Sequence, residues 1–350
     1  MPRSVPCLAV VLLLAAPLAA GCAVPRRADP ALARAAAALA FTSSDQDRDV
    51  LGRRMRVLLL NGRFDRLDQI ADSLRASREL WPDDSWTLRR FYREAFFGEE
   101  SWSAEDWKPV MHQLRVWRET RPRSITAPVA LAYGLVGWAW NARGTGVGAS
   151  VSREGWRLMR ERIDEARMVL MAARRLPAVC PEWYGAEQSV ALGQGWERDE
   201  YDRLFAEAVA AHPGYAGYYT AKAYFLLPRW YGKPGEWEVF ATEAASALPD
   251  SLGARIYAHI VWGQCAYYGN IFEETAASWP RTRDGFERMR AAFPGSLEIL
   301  SREAFFACCA ADREAAKPLF EAIGDRVDVA VWKNARLFLR ARDWALAPPS

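Results

Sequence analysis

Apolar residues recur every three or four positions along most of the chain, and run after run of such spacing stops at glycine or proline. This pattern belongs to amphipathic helices with explicit stop signals. It is clearest over residues 180–249. Pro181 opens a helix that stops at Gly193 and Gly195. A second helix carries Tyr201, Leu204, Phe205, Ala208 and Val209 on one face and ends at Pro213, and the cycle then restarts toward Pro249. The unit is helix, turn, helix, proline. Such a pair cannot bury its apolar face alone, so recurrence implies neighbours stacked on a shared core.

The same unit can be followed along the chain. Residues 45–60 and 64–80 predict a first pair, with Phe64, Leu67, Ile70, Ala71 and Leu74 in one stripe and Trp81 and Pro82 closing it. Residues 85–97 and 104–120 predict a second, opened by a Ser103 to Asp106 capping pattern and striped by Trp107, Val110, Met111, Leu114 and Trp117. A third pair covers 125–142 and 153–176, with Trp156, Met159, Ile163, Ala166, Leu170 and Ala173 facing inward. Pairs four to seven cover 181–211, 215–248, 252–293 and 297–323, and a last helix over 329–345 caps the end. No stretch alternates with period two over strand length. The expected fold is all-α: an α-solenoid of about seven irregular helical hairpins plus a C-terminal capping helix, over residues 44–345.

The first 43 residues follow another logic. Residues 1–21 carry Arg3, then LAVVLLLAAPLAA, then small residues before Cys22. The run is shorter than the ~20 apolar residues a membrane span needs, and it has the layout of a secretion signal. Leu18 to Cys22, LAAGC, resembles the lipobox of bacterial lipoproteins, although Ala19 stands where that pattern usually has Leu. The resemblance implies acylation of Cys22, cleavage before it, and a tether with a short Ala-rich helix over 22–43. Ala23, in place of an aspartate, implies an outer-membrane destination. The expected location is the bacterial cell envelope, lipid-anchored.

Composition narrows the chemistry. A 51% hydrophobic, 25% charged chain of 350 residues can build a large core, and a net charge of +3 without a basic block gives no reason to expect a nucleic-acid partner. Cys180, Cys265, Cys308 and Cys309 have no CxxC spacing, and His112, His212 and His259 lie far apart, so neither a metal site nor a cofactor is expected. The Gly-rich loop 143–150 has neither the dinucleotide fingerprint nor a P-loop lysine and is taken as an inter-helix connection.

Aromatic content is the outlier, with 16 Trp and 12 Tyr. Two connections concentrate them. Residues 228–237 place Trp230, Tyr231 and Trp237 beside Arg229 and Lys233, and residues 267–280 combine Tyr267, Tyr268 and Trp279 with Asn270, Glu273 and Glu274. They form a candidate binding surface for a peptide or for sugar rings, or else they plug each connection onto the next repeat. A glycosidase would need a second carboxylate ~5–9 Å from Glu273 or Glu274, for which Glu182 is a conceivable partner. No serine-nucleophile motif and no Cys–His pairing accompanies them.

Phe205, Ala208 and Pro213, and again Ala316 and Phe320, stand at the spacing of the tetratricopeptide repeat. From about Phe64 to Trp332 the chain resembles an uncharacterised bacterial family of tetratricopeptide-like proteins, a domain of unknown function. The likeness runs through WNARGTG at 140–146, ALGQGW at 191–196, YYTAKAYFLLPRWYG at 218–232 and YYGNIFEETAASWPR at 267–281. It implies a fold and little about activity. The expected function is a non-catalytic, membrane-anchored scaffold that binds an envelope protein or peptide. The alternative is a glycan-binding or carbohydrate-active lipoprotein.

Overall fold

The computed structural model describes residues 36–99, 101–146 and 148–348. Cys22 and its signal lie outside them. The described chain forms two compact units: residues 46–81 with 85–232, and residues up to 45 with 82–84 and 233 onward. It is all-α apart from one pair of three-residue strands.

In the first unit the helices are α1 (Ser44–Leu60, most of it), α2 (Phe64–Ser77), α3 (Thr87–Phe96), α4 (Ala104–Thr120), α5 (Thr126–Arg143), α6 (Arg153–Ala173), α7 (Pro181–Gln194), α8 (Arg198–Ala211) and α9 (Ala216–Phe225). Local signals set their ends. Ser103 and Asp106 close a reciprocal capping box at α4, Ser152 caps α6, Pro181 occupies the first turn of α7, and Gly195 ends α7 in the left-handed region at φ +66°. The apolar stripe of α4 is buried residue for residue, from Trp107 to Trp117.

Helix α5 is different. It is apolar all round, and every residue from Thr126 to Gly137 is buried, which makes it the central helix of the unit. It packs against α3, α4, α6 and α7, and α7 in turn packs against α8 and α9. The helices that open successive hairpins, α3, α5, α7 and α9, therefore follow one another as neighbours. The closest approach is at Gly137, where a Cβ would overlap the carbonyl oxygen of Phe97 at the end of α3.

The second unit holds β1 (Ala40–Thr42), α10 (Glu236–Ser246), α11 (Asp250–Gln264), α12 (Ile271–Glu274), α13 (Trp279–Ala292), α14 (Leu297–Cys309), α15 (Arg313–Ile323), β2 (Arg326–Asp328), α16 (Val329–Trp332) and α17 (Ala335–Leu346). Helix α11 packs on α10 and α13, and α14 packs on α13, α15, α16 and α17. Trp332, fully buried, is ringed by Phe305, Phe320 and Phe338 with centroids 5.4–6.0 Å away.

Two features depart from the sequence expectation. The single helix over 329–345 is broken, because Lys333 takes φ +62° and Asn334 starts a new helix by accepting a hydrogen bond from the amide of Leu337. Residues 40–42 pair in parallel with 326–328, Phe41 opposite Val327, where no strand was expected. Three residues are too few to display a period.

Gly137→Ala is expected to destabilise the protein by about 1–3 kcal/mol through overpacking between α3 and α5. Gly295→Ala, whose methyl would meet nothing within 4 Å, is expected to be close to neutral. Urea denaturation followed by tryptophan fluorescence checks the contrast, and equal effects would contradict this packing.

Candidate functional site

The most concentrated chemistry of the first unit is inside it. Pro181 fixes the first turn of α7, which places Glu182 where the helix dipole favours an acidic side chain. Glu182 is 0% exposed. The hydroxyls of Tyr133 on α5 and Tyr215 just before α9 each donate to one of its carboxylate oxygens, and Arg89 Nη1 of α3 stands 3.9 Å away. Burial raises both phenols far above the usual tyrosine range, and the charge of Glu182 adds to the effect, so they remain neutral donors. Gly185, one turn on, is required by the approach: a Cβ there would stand 2.8 Å from the Tyr133 hydroxyl. Tyr218 completes the ring by donating to the carbonyl of Pro181 at 2.7 Å.

This arrangement bears on Glu182 as a catalytic partner. Both its oxygens are engaged by core hydroxyls on two other elements, the environment of a structural carboxylate. The sequence does not display the company Glu182 keeps, because Tyr133, Tyr215 and Arg89 lie far from it along the chain.

A cavity of about 490 Å³ opens at the end of α2 and the start of α5, lined by Asp68, Asp72, Arg75, Arg121, Arg123 and Thr126 among others. Its charges largely pair with each other. Arg75 donates to Asp72 and to Thr126 Oγ1, Arg121 bridges to Asp65, and Ser124 donates to Asp68, whose carboxyl burial raises.

The candidate surface draws its residues from both units. Trp230 and Tyr231 belong to the first unit and the other seven residues to the second. Tyr231 is 42% exposed, its hydroxyl donating to Leu192, and Tyr267 is 38% exposed. Trp237 and Asn270 are a correction, being 1% and 4% exposed. The Trp237 indole donates to Tyr268, and Asn270 caps α12 while donating to the carbonyl of Cys309. Glu273 and Glu274 are exposed, and Glu274 accepts the backbone N–H of Asn270. Trp279 is half-buried, donating to Asp312 at 2.9 Å. The polar groups among these rings thus serve mostly to fasten the connection itself.

Tryptophan faces elsewhere are covered by guanidinium groups. Arg162 lies 3.5 Å over Trp138, Arg167 4.6 Å over Trp196, Arg174 4.9 Å over Trp183 and Arg302 4.5 Å over Trp262. Arg143 faces Trp140, Trp156 and Trp230 within 6.0 Å and donates to the carbonyls of Gly144 and Gly146, so the Gly-rich loop is folded onto its own arginine. Sugar rings stack on open indole faces, and one face of each of these carries an arginine. In the second unit, buried Asp84 takes the left-handed φ of +66° and pairs with Arg255 and His259, and Arg302 lies between Glu298 and Asp83.

Among the described residues no group of three His, Cys, Asp or Glu side chains is arranged to hold a metal, no disulfide joins the four cysteines, and no helix is long and apolar enough to cross a membrane. Comparison with protein-family models, with curated proteins and with solved structures finds no match.

Two outcomes follow from the buried carboxyls. Tyr215→Phe removes a donor to Glu182 and is expected to cost about 1.5–3 kcal/mol in urea denaturation; an unchanged midpoint would mean the contact carries no weight. Glu187 on α7 has one buried oxygen with no partner among the described residues, and burial raises it to about 7, against the pull of Arg167 and Arg174. The folded state therefore holds this proton more tightly than the unfolded chain, and stability from this group falls as pH rises from the usual carboxyl range to about 7. Glu187→Gln is expected to stabilise by on the order of 3 kcal/mol at pH 8 and to be near neutral at pH 4. Midpoints measured at both pH values check the sign.

Proposed function

We propose that the protein is a non-catalytic helical-repeat scaffold, attached to the bacterial envelope through Cys22, that binds a protein or peptide partner. The observation that carries this reading is the succession α3, α5, α7, α9, in which the opening helix of each hairpin packs beside that of the next. Stacked hairpins of this kind make a solenoid that presents one continuous face to an extended ligand. The tetratricopeptide spacing at Phe205, Ala208 and Pro213 supports it, with Ala208 fully buried. The glycan reading loses its motive where guanidiniums cover the indoles.

The test is site-specific photocrosslinking in intact cells at Tyr231 and Tyr267, with exposed Met168 as the control position. One protein adduct reproducibly formed at the tyrosine positions and absent at Met168 is expected. Adducts equal at all three, or a glycan array bound by the soluble body with no protein adduct, would overturn the scaffold. Palmitate labelling is expected in the wild type and lost in Cys22→Ser; label retained in that variant would remove the anchor.

A further inference from the structure

Arg89 and Arg93 stand one turn apart on α3, a placement in which like charges repel. One carboxylate, Glu182, faces the two of them, and it favours the charge of Arg89. Glu182 is the carboxylate nearest to Arg89, yet at 3.9 Å it is beyond hydrogen-bond reach, and its oxygens are already taken by Tyr133 and Tyr215. Arg93 has no hydrogen bond or ion pair with any described residue; its guanidinium lies 4.6 Å over the ring of Phe97. Glu94, the acidic neighbour on the same helix, pairs instead with Arg90 at 3.1 Å. Several other arginines of this unit, Arg56, Arg75, Arg115 and Arg174, each hold a carboxylate.

Neither side chain is completely enclosed: that of Arg89 is 19% exposed and Arg93 is half-buried. Burial, and then the charge of Arg89, pushes Arg93 down from the usual arginine range, and arginine still does not give up its proton. The pair therefore holds two positive charges against one shared carboxylate, beside the rings of Phe97 and Tyr133. Phe97 lies under Arg93, its ring 6.5 Å from that of Tyr133, and the missing side chain of Gly217 lets the Arg89 guanidinium lie against the start of α9, since a Cβ there would stand 2.5 Å from Nη1.

We propose that Arg89 and Arg93 form a binding site for an oxyanion, a carboxylate or phosphate group held by the two guanidiniums. Such groups match the planar fork of arginine donors, and a half-buried pair binds them more strongly than exposed cations do. The anion balances the surplus charge that the fold leaves in place. This site does not depend on the repeats capturing a peptide.

The test is a melting-temperature series on the purified protein at fixed ionic strength, with inorganic phosphate in one arm and succinate in the other. At least one is expected to raise the melting temperature saturably, by about 3–6 °C at roughly tenfold its dissociation constant. Arg93→Gln is expected to abolish that rise and Arg93→Lys to keep part of it. Without ligand, Arg93→Gln is expected to melt at or above the wild type, because it removes a repulsion and no protein contact to a carboxylate. The arm that responds identifies the oxyanion. No saturable rise in either arm, or the same rise in Arg93→Gln, overturns the site. So does an Arg93→Gln variant that melts well below the wild type or fails to fold, since Arg93 would then be a structural member. Any of these leaves the crosslinking test at Tyr231 and Tyr267 untouched.

Discussion

A carboxylate with no access to water must be satisfied by the protein around it, and in the first unit Glu182 imposes that demand on three other elements at once. Tyr133, Tyr215 and Arg89 come from α5, the approach to α9, and α3. None can move without leaving a buried charge unpaired, which costs several kcal/mol. The order of the helices and the identity of these side chains are thus two expressions of one constraint. Gly185 and Gly137 belong to it as well, because each keeps a backbone close enough for those partners to meet.

The tryptophan surplus has a related explanation. Rings lie between helices with one face on the apolar interior and the other under an arginine, as with Arg162 on Trp138 and Arg174 on Trp183. An arginine stem also covers apolar surface while its head stays near water. Aromatic and basic residues together form the boundary layer of this fold.

Legibility from sequence followed the range of the interactions involved. The stripe from Trp107 to Trp117 and the Ser103–Asp106 box were readable, because helix period and capping are settled within a few residues. Gly195 marked the end of α7 for the same reason. The break at Lys333 was not readable, since nothing nearby in sequence requires it. Which aromatic of a connection turns inward was also hidden. Trp237 is buried by its bond to Tyr268 and Tyr231 is left exposed, though both sit in one ten-residue stretch. The partners of Glu182 are far apart along the chain, so its residue type suggested acid chemistry when its neighbours make it a structural anchor.

The strand pair has a consequence for how the chain is made. Phe41 meets Val327, and the side chain of Asp328, 1% exposed, accepts the amide of Ser44 while capping α16 through Ala330. Those partners are separated by 284 positions. β1 therefore has no partner until residues near the other end of the chain are present, so the strand pair of the second unit forms only in a chain that carries both.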